Sequence, residues 1–382
     1  DLASEKSVLF ADDISLDDMV WTGPKASVRE QADSAGIDAA EPLSTLSGFC
    51  AAKRMLYLPP YRMDIQAQLA ELTGVALGAV PGGASMELIR AVIAMREIKE
   101  DREIERIERA VDCSIDMHLA VITTAKPGMS EAQLMALAYR EALTGGGMPS
   151  FPPIATTCGA VLHNHGYGNT LTDGGLFLLD AGAETDDGYS GDLTSTFPIG
   201  RRYNDRQRAV YQIVLDAGRA ASQAIAPGVP YRQAHFAAAR VIAQGLKGLG
   251  LMKGDMEAAV ADGAHALFFP HGVGHQMGLD VHDLEALGEI HVGYPEGEHK
   301  SAQFGLKSLR MAKPVRAGMV LTVEPGIYFI EGLIDIWKRE GKFTQYINYA
   351  ELESWRALGG FRNEEDWLVS QSGARRLGKP FD

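Results

Sequence analysis

The sequence predicts an α+β fold, a pseudo-symmetric domain preceded by a smaller and incomplete α/β domain. Three observations carry this reading. Two helix pairs of the same pattern recur along the chain, β-like segments follow each pair, and the opening residues alternate short strands with helices. A chain of 382 residues has room for two domains, since one domain usually takes about 100–200 residues.

In the first part, SVLF and MLYL have the apolar, β-branched or aromatic character of strands, while VREQADSA and DIQAQLAELTG read as helices, the latter stopped by Gly. The stretch from Pro81 onward reads as a connector into a long amphipathic helix. The domain boundary is placed near Glu97, giving domains 1–97 and 98–382. Beyond it, a helix ends at Pro127-Gly128 and another at Pro227-Gly228, each followed within a few residues by a second helix. Proline cannot continue a helix and glycine supplies the turn. The segment GGLFLLDAGAETDDGYSGDLTSTFPIG reads as a hairpin turning at Asp187-Gly188, and MVLTVEPGIYFI and GGFRNEEDWLVS supply the β segments of the other half.

Composition excludes several functions. The formal charge of −14, from 36 basic and 50 acidic residues, disfavours a nucleic-acid surface, which needs clustered Lys and Arg. No apolar run approaches the roughly 20 residues that span a bilayer, so no membrane role is expected. Cys50, Cys113 and Cys158 lie far apart with no CxxC pair, which fits a reducing, cytoplasmic setting rather than a disulfide framework. The chain opens DLASEKSVLFADD without an initiator Met or a signal-type apolar core, so a truncated or processed product is expected and an upstream targeting segment is left open.

Four carboxylates stand where strands should be buried: Asp180 in LLDAG, Asp192 in SGDLTSTF, Glu324 in LTVEPGIYF and Glu364 in GGFRNEEDWLVS. Burying such groups costs several kcal/mol per ion unless cations or donors compensate. Two divalent cations would cancel four negative charges, and one imidazole would complete an oxygen-rich site suited to Mn and similar ions. The imidazole has three candidates in FFPHGVGHQMGLDVHD: His271, His275 and His282. The first two stand four apart, the spacing of a helix-borne zinc site. Yet Gly272, Gly274 and Gly278 crowd the stretch; each interior Gly costs a helix about 1 kcal/mol relative to Ala, and the Glu of an HExxH motif is missing.

With VLHNHGYGNT, these motifs occur in the order found in the proline-specific metallopeptidases of the aminopeptidase P and prolidase family, which the chain resembles from about Val8 to Leu377. The resemblance implies a pita-bread fold and two divalent ions, Mn first, with Co, Fe or Zn as alternatives. It implies Asp180 as ligand of one ion, His275 and Glu324 as ligands of the other, and Asp192 and Glu364 as bridges. Glu324 would also shuttle the proton to the departing proline nitrogen. His282 would hydrogen-bond the substrate near the oxyanion, His163 and His271 would line the proline side, and Arg362 would support the bridging Glu. FADDISLDDMVWTG and MLYLPPYR resemble the later part of the family's N-terminal domain, which implies a homodimer.

The expected activity is cleavage between an N-terminal residue and proline in peptides, the aminopeptidase P reaction. The alternative is a prolidase restricted to Xaa-Pro dipeptides: GLKSLR resembles prolidases, in which the last arginine, here Arg310, meets the dipeptide carboxylate. A binding module without activity on the same fold ranks behind both. Two departures from the family pattern stand out. Asp180 and Asp192 are one residue further apart than usual, predicting a bulge around Thr185–Asp187, and Asn363 replaces an apolar residue between Arg362 and Glu364.

Overall fold

The computed structural model describes residues 1–51 and 53–380. They group into two compact units, Asp1–Ile89 and Arg90–Asp382. In the first unit, strand β1 (Val8–Phe10) pairs in parallel with β2 (Ala39–Glu41), and helices α1 (Leu16–Thr22) and α2 (Val28–Ser34) lie between them in sequence. Both helices begin at reciprocal capping boxes, Ser15 with Asp18 and Ser27 with Glu30, which satisfy amides that a helix start leaves open. Helix α3 (Leu46–Cys50) follows, then α4 (Met63–Thr73), which stops at left-handed Gly74 as the sequence predicts. MLYL forms no strand. Its Tyr57 exchanges hydrogen bonds with the backbone and hydroxyl of Ser85 instead, because Pro59 and Pro60 directly downstream have no N–H for a ladder.

The division between the units falls within α5 (Met86–Arg96). The second unit holds the expected repeat. Helices α6 (Asp101–Thr124) and α7 (Glu131–Thr144) form the first pair, and α8 (Asp205–Gln223) and α9 (Arg232–Gly248) the second. At both interruptions the glycine has positive φ, and its N–H bonds a carbonyl further along: Gly128 to Leu171 and Gly228 to Val315.

Each pair is followed by a three-stranded antiparallel sheet of one topology. Strands β3 (Ile154–Thr156), β4 (Leu176–Asp180) and β5 (Thr194–Pro198) lie in the order β3-β4-β5. In the second half, β6 (Val320–Val323), β9 (Glu365–Ser370) and β10 (Gly373–Arg376) lie in the order β6-β9-β10, with β7 (Gly326–Tyr328) and β8 (Gly360–Arg362) paired beside them. Met117, Val121, Leu134 and Ala138 of the first helix pair bury themselves with Phe177, Leu179 and Phe197. Val214, Ala217, Ala238 and Ile242 of the second do so with Leu321, Val323 and Ile327. Each half therefore has its own core, and the α+β, pseudo-symmetric prediction holds. No helix among the described residues is long and apolar enough to cross a membrane.

Candidate active site

The β4–β5 hairpin carries the first two carboxylates. Asp180, at the end of β4, pairs with Thr194, and the same register reappears at Glu184 and Ser190. The tip closes with Thr185 N–H donating to Tyr189 O at 2.8 Å and Gly188 N–H to Thr185 O at 2.9 Å, with Gly188 at φ +87°. This is a three-residue loop ending in a left-handed glycine, and it absorbs the extra residue between Asp180 and Asp192. Between tip and base the ladder opens in part: Ala181 N–H still bonds Leu193 O and Gly191 N–H bonds Ala183 O, each at 2.9 Å, while polar side chains of α6 take the Ala183 N–H and the Ala181 O. Ser114 Oγ accepts from Ala183 N–H at 2.9 Å. His118 Nε2 meets Ala181 O at 3.0 Å, and its Nδ1 meets Ser195 Oγ at 2.5 Å. A carbonyl can only accept, so Nε2 carries the proton and Nδ1 takes the serine hydroxyl. Burial pushes the His118 pKa down to about 4, so the ring is neutral. The sequence reading missed this residue; its signal was a polar i, i+4 pair, Ser114 and His118, on the apolar face of an amphipathic helix.

The HGVGH stretch is extended, not helical. Glu324 N–H donates to Val273 O at 2.8 Å, Thr322 N–H to His275 O at 3.0 Å and Met277 N–H to Val320 O at 3.1 Å, so residues 273–277 lie antiparallel to β6. Gly274 permits this approach: a Cβ there would stand 2.1 Å from Thr322 O. The four-residue spacing of His271 and His275 thus reflects an extended segment that sets their rings to different tasks.

His275 Nδ1 donates to Gln276 O at 3.0 Å, which leaves Nε2 facing two carboxylates, Asp192 Oδ2 at 3.5 Å and Glu324 Oε1 at 3.9 Å. Burial opposes charge on this ring, but Asp192 and then Glu324 outweigh it and lift its pKa to about 9. Glu364 joins from the link between β8 and β9, taking a hydrogen bond from Thr194 Oγ at 2.7 Å. Ligand atoms of Asp192, His275 and Glu364 all lie within 4.8 Å of one another, and the three residues are buried. Burial, then mutual repulsion, holds the Asp192 and Glu364 carboxyls above their ordinary range, and burial lifts Glu324 to about 7. Among the described residues, Asp192 Oδ1 has no hydrogen-bond partner. Such crowding of buried carboxylates around one imidazole nitrogen fits divalent cations.

Asp180 lies beside this cluster rather than within the 4.8 Å group. It accepts from Arg362 Nη2 at 2.5 Å. Each nitrogen of the Arg362 guanidinium is engaged: besides Nη2, Nε donates to Thr194 Oγ and Nη1 to the Tyr328 hydroxyl, each at 3.0 Å. Tyr328 in turn bonds His271 Nε2 at 2.9 Å, while His271 Nδ1 donates to Gly272 O at 2.7 Å. Burial, with Arg362 nearby, holds His271 down at about 3, so it is a neutral wall. The Asn363 departure is accommodated by the Tyr211 hydroxyl of α8, 3.3 Å from its Oδ1. Asp366, another residue the sequence reading passed over, accepts the Asp192 N–H at 3.0 Å from the second half; an Asp amid the inward pattern of WLVS was its only signal.

A cavity of 740 Å³ opens over the cluster. All ten predicted site residues line it: Asp180, Asp192, Glu324, Glu364, Arg310, Arg362, His163, His271, His275 and His282. The His282 ring sits 4.3 Å from that of His275 in an edge contact, and Arg310 bonds Glu285. His165 also lines the cavity, whereas His235 and His265 are buried outside it.

The profile of metallopeptidase family M24 matches residues 105–371, most of the second unit. The chain belongs to this family. Human Xaa-Pro dipeptidase is 31% identical over 395 residues, covering 99% of this chain and 77% of the relative. A probable Xaa-Pro aminopeptidase of Botryotinia fuckeliana is 31% identical over 382 residues, covering 99% and 80%. Among solved structures, zinc-substituted E. coli aminopeptidase P in complex with product is 27% identical, with a TM-score of 0.77, covering 97% of this chain and 78% of that one. The pita-bread fold and the divalent-metal character implied by the motifs are those of this family.

Proposed function

We propose that the chain hydrolyses the bond between an N-terminal residue and a following proline in peptides, using two divalent ions, Mn first, held by Asp180, Asp192, His275, Glu324 and Glu364. The observation that carries this reading is the buried Asp192–His275–Glu364 group, with Glu324 beside it, at the floor of a cavity. Bound divalent ions would supply Lewis-acid polarisation of the scissile carbonyl and acidify an attacking water. The residues do the rest. Glu324 lines the cavity 3.9 Å from His275 Nε2, where its carboxylate is suited to take a proton from the attacking water and pass it to the proline nitrogen. His275 gives its Nδ1–H to Gln276 O, so Nε2 faces the carboxylates and, once a bound cation displaces its proton, would offer its lone pair there. His282 reaches the cavity beside His275 and serves the oxyanion side. Neutral His271, with His163, walls the proline side, and Arg362 fixes Asp180 and Thr194. On the same reading the protein is a cytoplasmic homodimer, consistent with three unbridged cysteines.

A dipeptidase is the second reading, favoured by one observation: Arg310 lines the cavity, where it could meet a free proline carboxylate. Hydrolysis of Xaa-Pro and Xaa-Pro-Yaa-Zaa by the Mn-loaded protein separates the two. Cleavage of the tetrapeptide is expected; cleavage of the dipeptide alone would replace the aminopeptidase reading with the dipeptidase one. A protein that neither Mn nor Co activates on either peptide would leave the non-catalytic binding reading.

A further inference from the structure

Glu285 is an acidic group of the cavity that the hydrolytic reading does not use. Its Oε2 accepts from Arg310 Nη1 and stands 3.7 Å from His282 Nδ1, while Glu289 Oε2 lies 3.9 Å from the same Arg310 nitrogen. Glu285 and Arg310 both line the cavity.

The segment that carries Glu285 is anchored at both ends. Upstream, Asp283 is buried against Lys99 at 2.7 Å, both side chains only 1% exposed, with Arg96 on its other oxygen at 2.6 Å. Leu284 then takes φ +67°, a left-handed backbone that a leucine keeps only when its surroundings hold it. Downstream, Gly293 lies against the backbone of Arg310 itself: a Cβ there would stand 1.8 Å from Arg310 O. Gly293 O accepts from Ala312 N–H at 2.7 Å and Lys313 N–H at 2.9 Å, and the Tyr294 hydroxyl donates to Leu309 O at 2.7 Å. The carboxylate and the guanidinium are thus presented to each other by one fastened unit.

We propose that Glu285 is a specificity-determining residue: it neutralises Arg310, so the cavity gives no reward to a free carboxylate on proline and admits chains that continue past it. The proposal rests on the Xaa-Pro hydrolase reading. A substrate carboxylate approaching Arg310 meets one donor nitrogen already occupied and the like charge of Glu285, with Glu289, itself paired with Lys300, behind it. A peptide amide at the same place carries no charge and escapes that repulsion.

The test uses metal-loaded protein and two ligands that need no turnover, L-proline and L-prolinamide, titrated calorimetrically, alongside hydrolysis of Ala-Pro and Ala-Pro-Ala-Ala. Glu285→Gln is expected to raise the affinity for proline relative to prolinamide by about tenfold, the scale of one charge contact at a cavity edge, and to shift kcat/KM toward Ala-Pro. Adding Arg310→Met to that variant should erase the gain. Glu289→Gln, which leaves Leu284 and the His282 contact in place, should shift the same ratio less; it stands in if the first variant does not fold. An acid-to-amide ratio unchanged in Glu285→Gln, or in Glu289→Gln where only that variant folds, overturns the proposal while leaving Xaa-Pro hydrolysis intact. Failure of the unaltered protein to cleave either peptide overturns the hydrolase reading, and the proposal falls with it.

Discussion

The two halves of the larger unit share a helix pair and a sheet of one strand order, yet they arm the cavity differently. The first half presents Asp180 and Asp192 from one hairpin, whose opened ladder is braced from within by Ser114 and His118 of α6. The second half presents His275, Glu324 and Glu364 from three separate segments, and it alone carries the stretch from His282 to Arg310. Neither half holds the cluster by itself. Thr194 of the first bonds Glu364 of the second, and the Asp192 N–H bonds Asp366. The duplication gives two scaffolds of like shape, and the seam between them is where buried carboxylates face one another.

The largest effect should come from breaking that seam. His275→Ala and Asp192→Ala, one from each half, should each lose bound metal and, with it, hydrolysis of Xaa-Pro peptides, as read by metal analysis and peptide assay. Retention of full metal by either variant would remove that half from the site. His282→Ala probes the stretch peculiar to the second half: turnover should fall by about 10²-fold or more, the usual worth of one hydrogen-bond donor on the oxyanion side, with metal content unchanged. Loss of metal in that variant would make His282 a ligand instead.

Asp366→Ala tests whether the second half steadies a ligand of the first. Metal affinity should drop by about 10–100-fold, as for other groups that orient ligands, and competition with a chelator measures it. The smallest effect concerns His118 of the first half. Its folded pKa of about 4 lies below the ordinary 6.5, so the folded ring stays neutral where the unfolded one binds a proton. That difference lowers stability as pH falls from 6.5 toward 4, by at most about 1.4 kcal/mol per pH unit. Denaturant melts of His118→Gln should show a shallower loss over that window than the unaltered protein. Parallel pH profiles would mean that the ring is not held neutral.

Much of the fold was legible from local chemistry. The helix pairs followed from amphipathic spacing and two Pro-Gly stops, and the hairpin from two β-like runs on either side of Asp187-Gly188. MLYL misled because strand propensity says nothing about a partner, and two prolines follow it. The site was legible as residue types, since carboxylates inside apolar strands need compensation. The bracing residues were not: Ser114, His118, Tyr328 and Asp366 look like ordinary polar residues until long-range packing brings them against the site.

By itself, the sequence determined the repeat, the hairpin, the inventory of buried carboxylates and the non-helical course of a glycine-crowded HGVGH, all of which follow from backbone preference and the cost of burying charge. Only the tertiary structure decided which imidazole points where. Gln276 O and Gly272 O take the Nδ1 protons of His275 and His271, while long-range packing brings Asp192 to the Nε2 of the first and Tyr328 to the Nε2 of the second. It also decided that Arg310 faces Glu285, because a pairing of charges across 25 residues depends on how the chain between them is fastened rather than on any local preference.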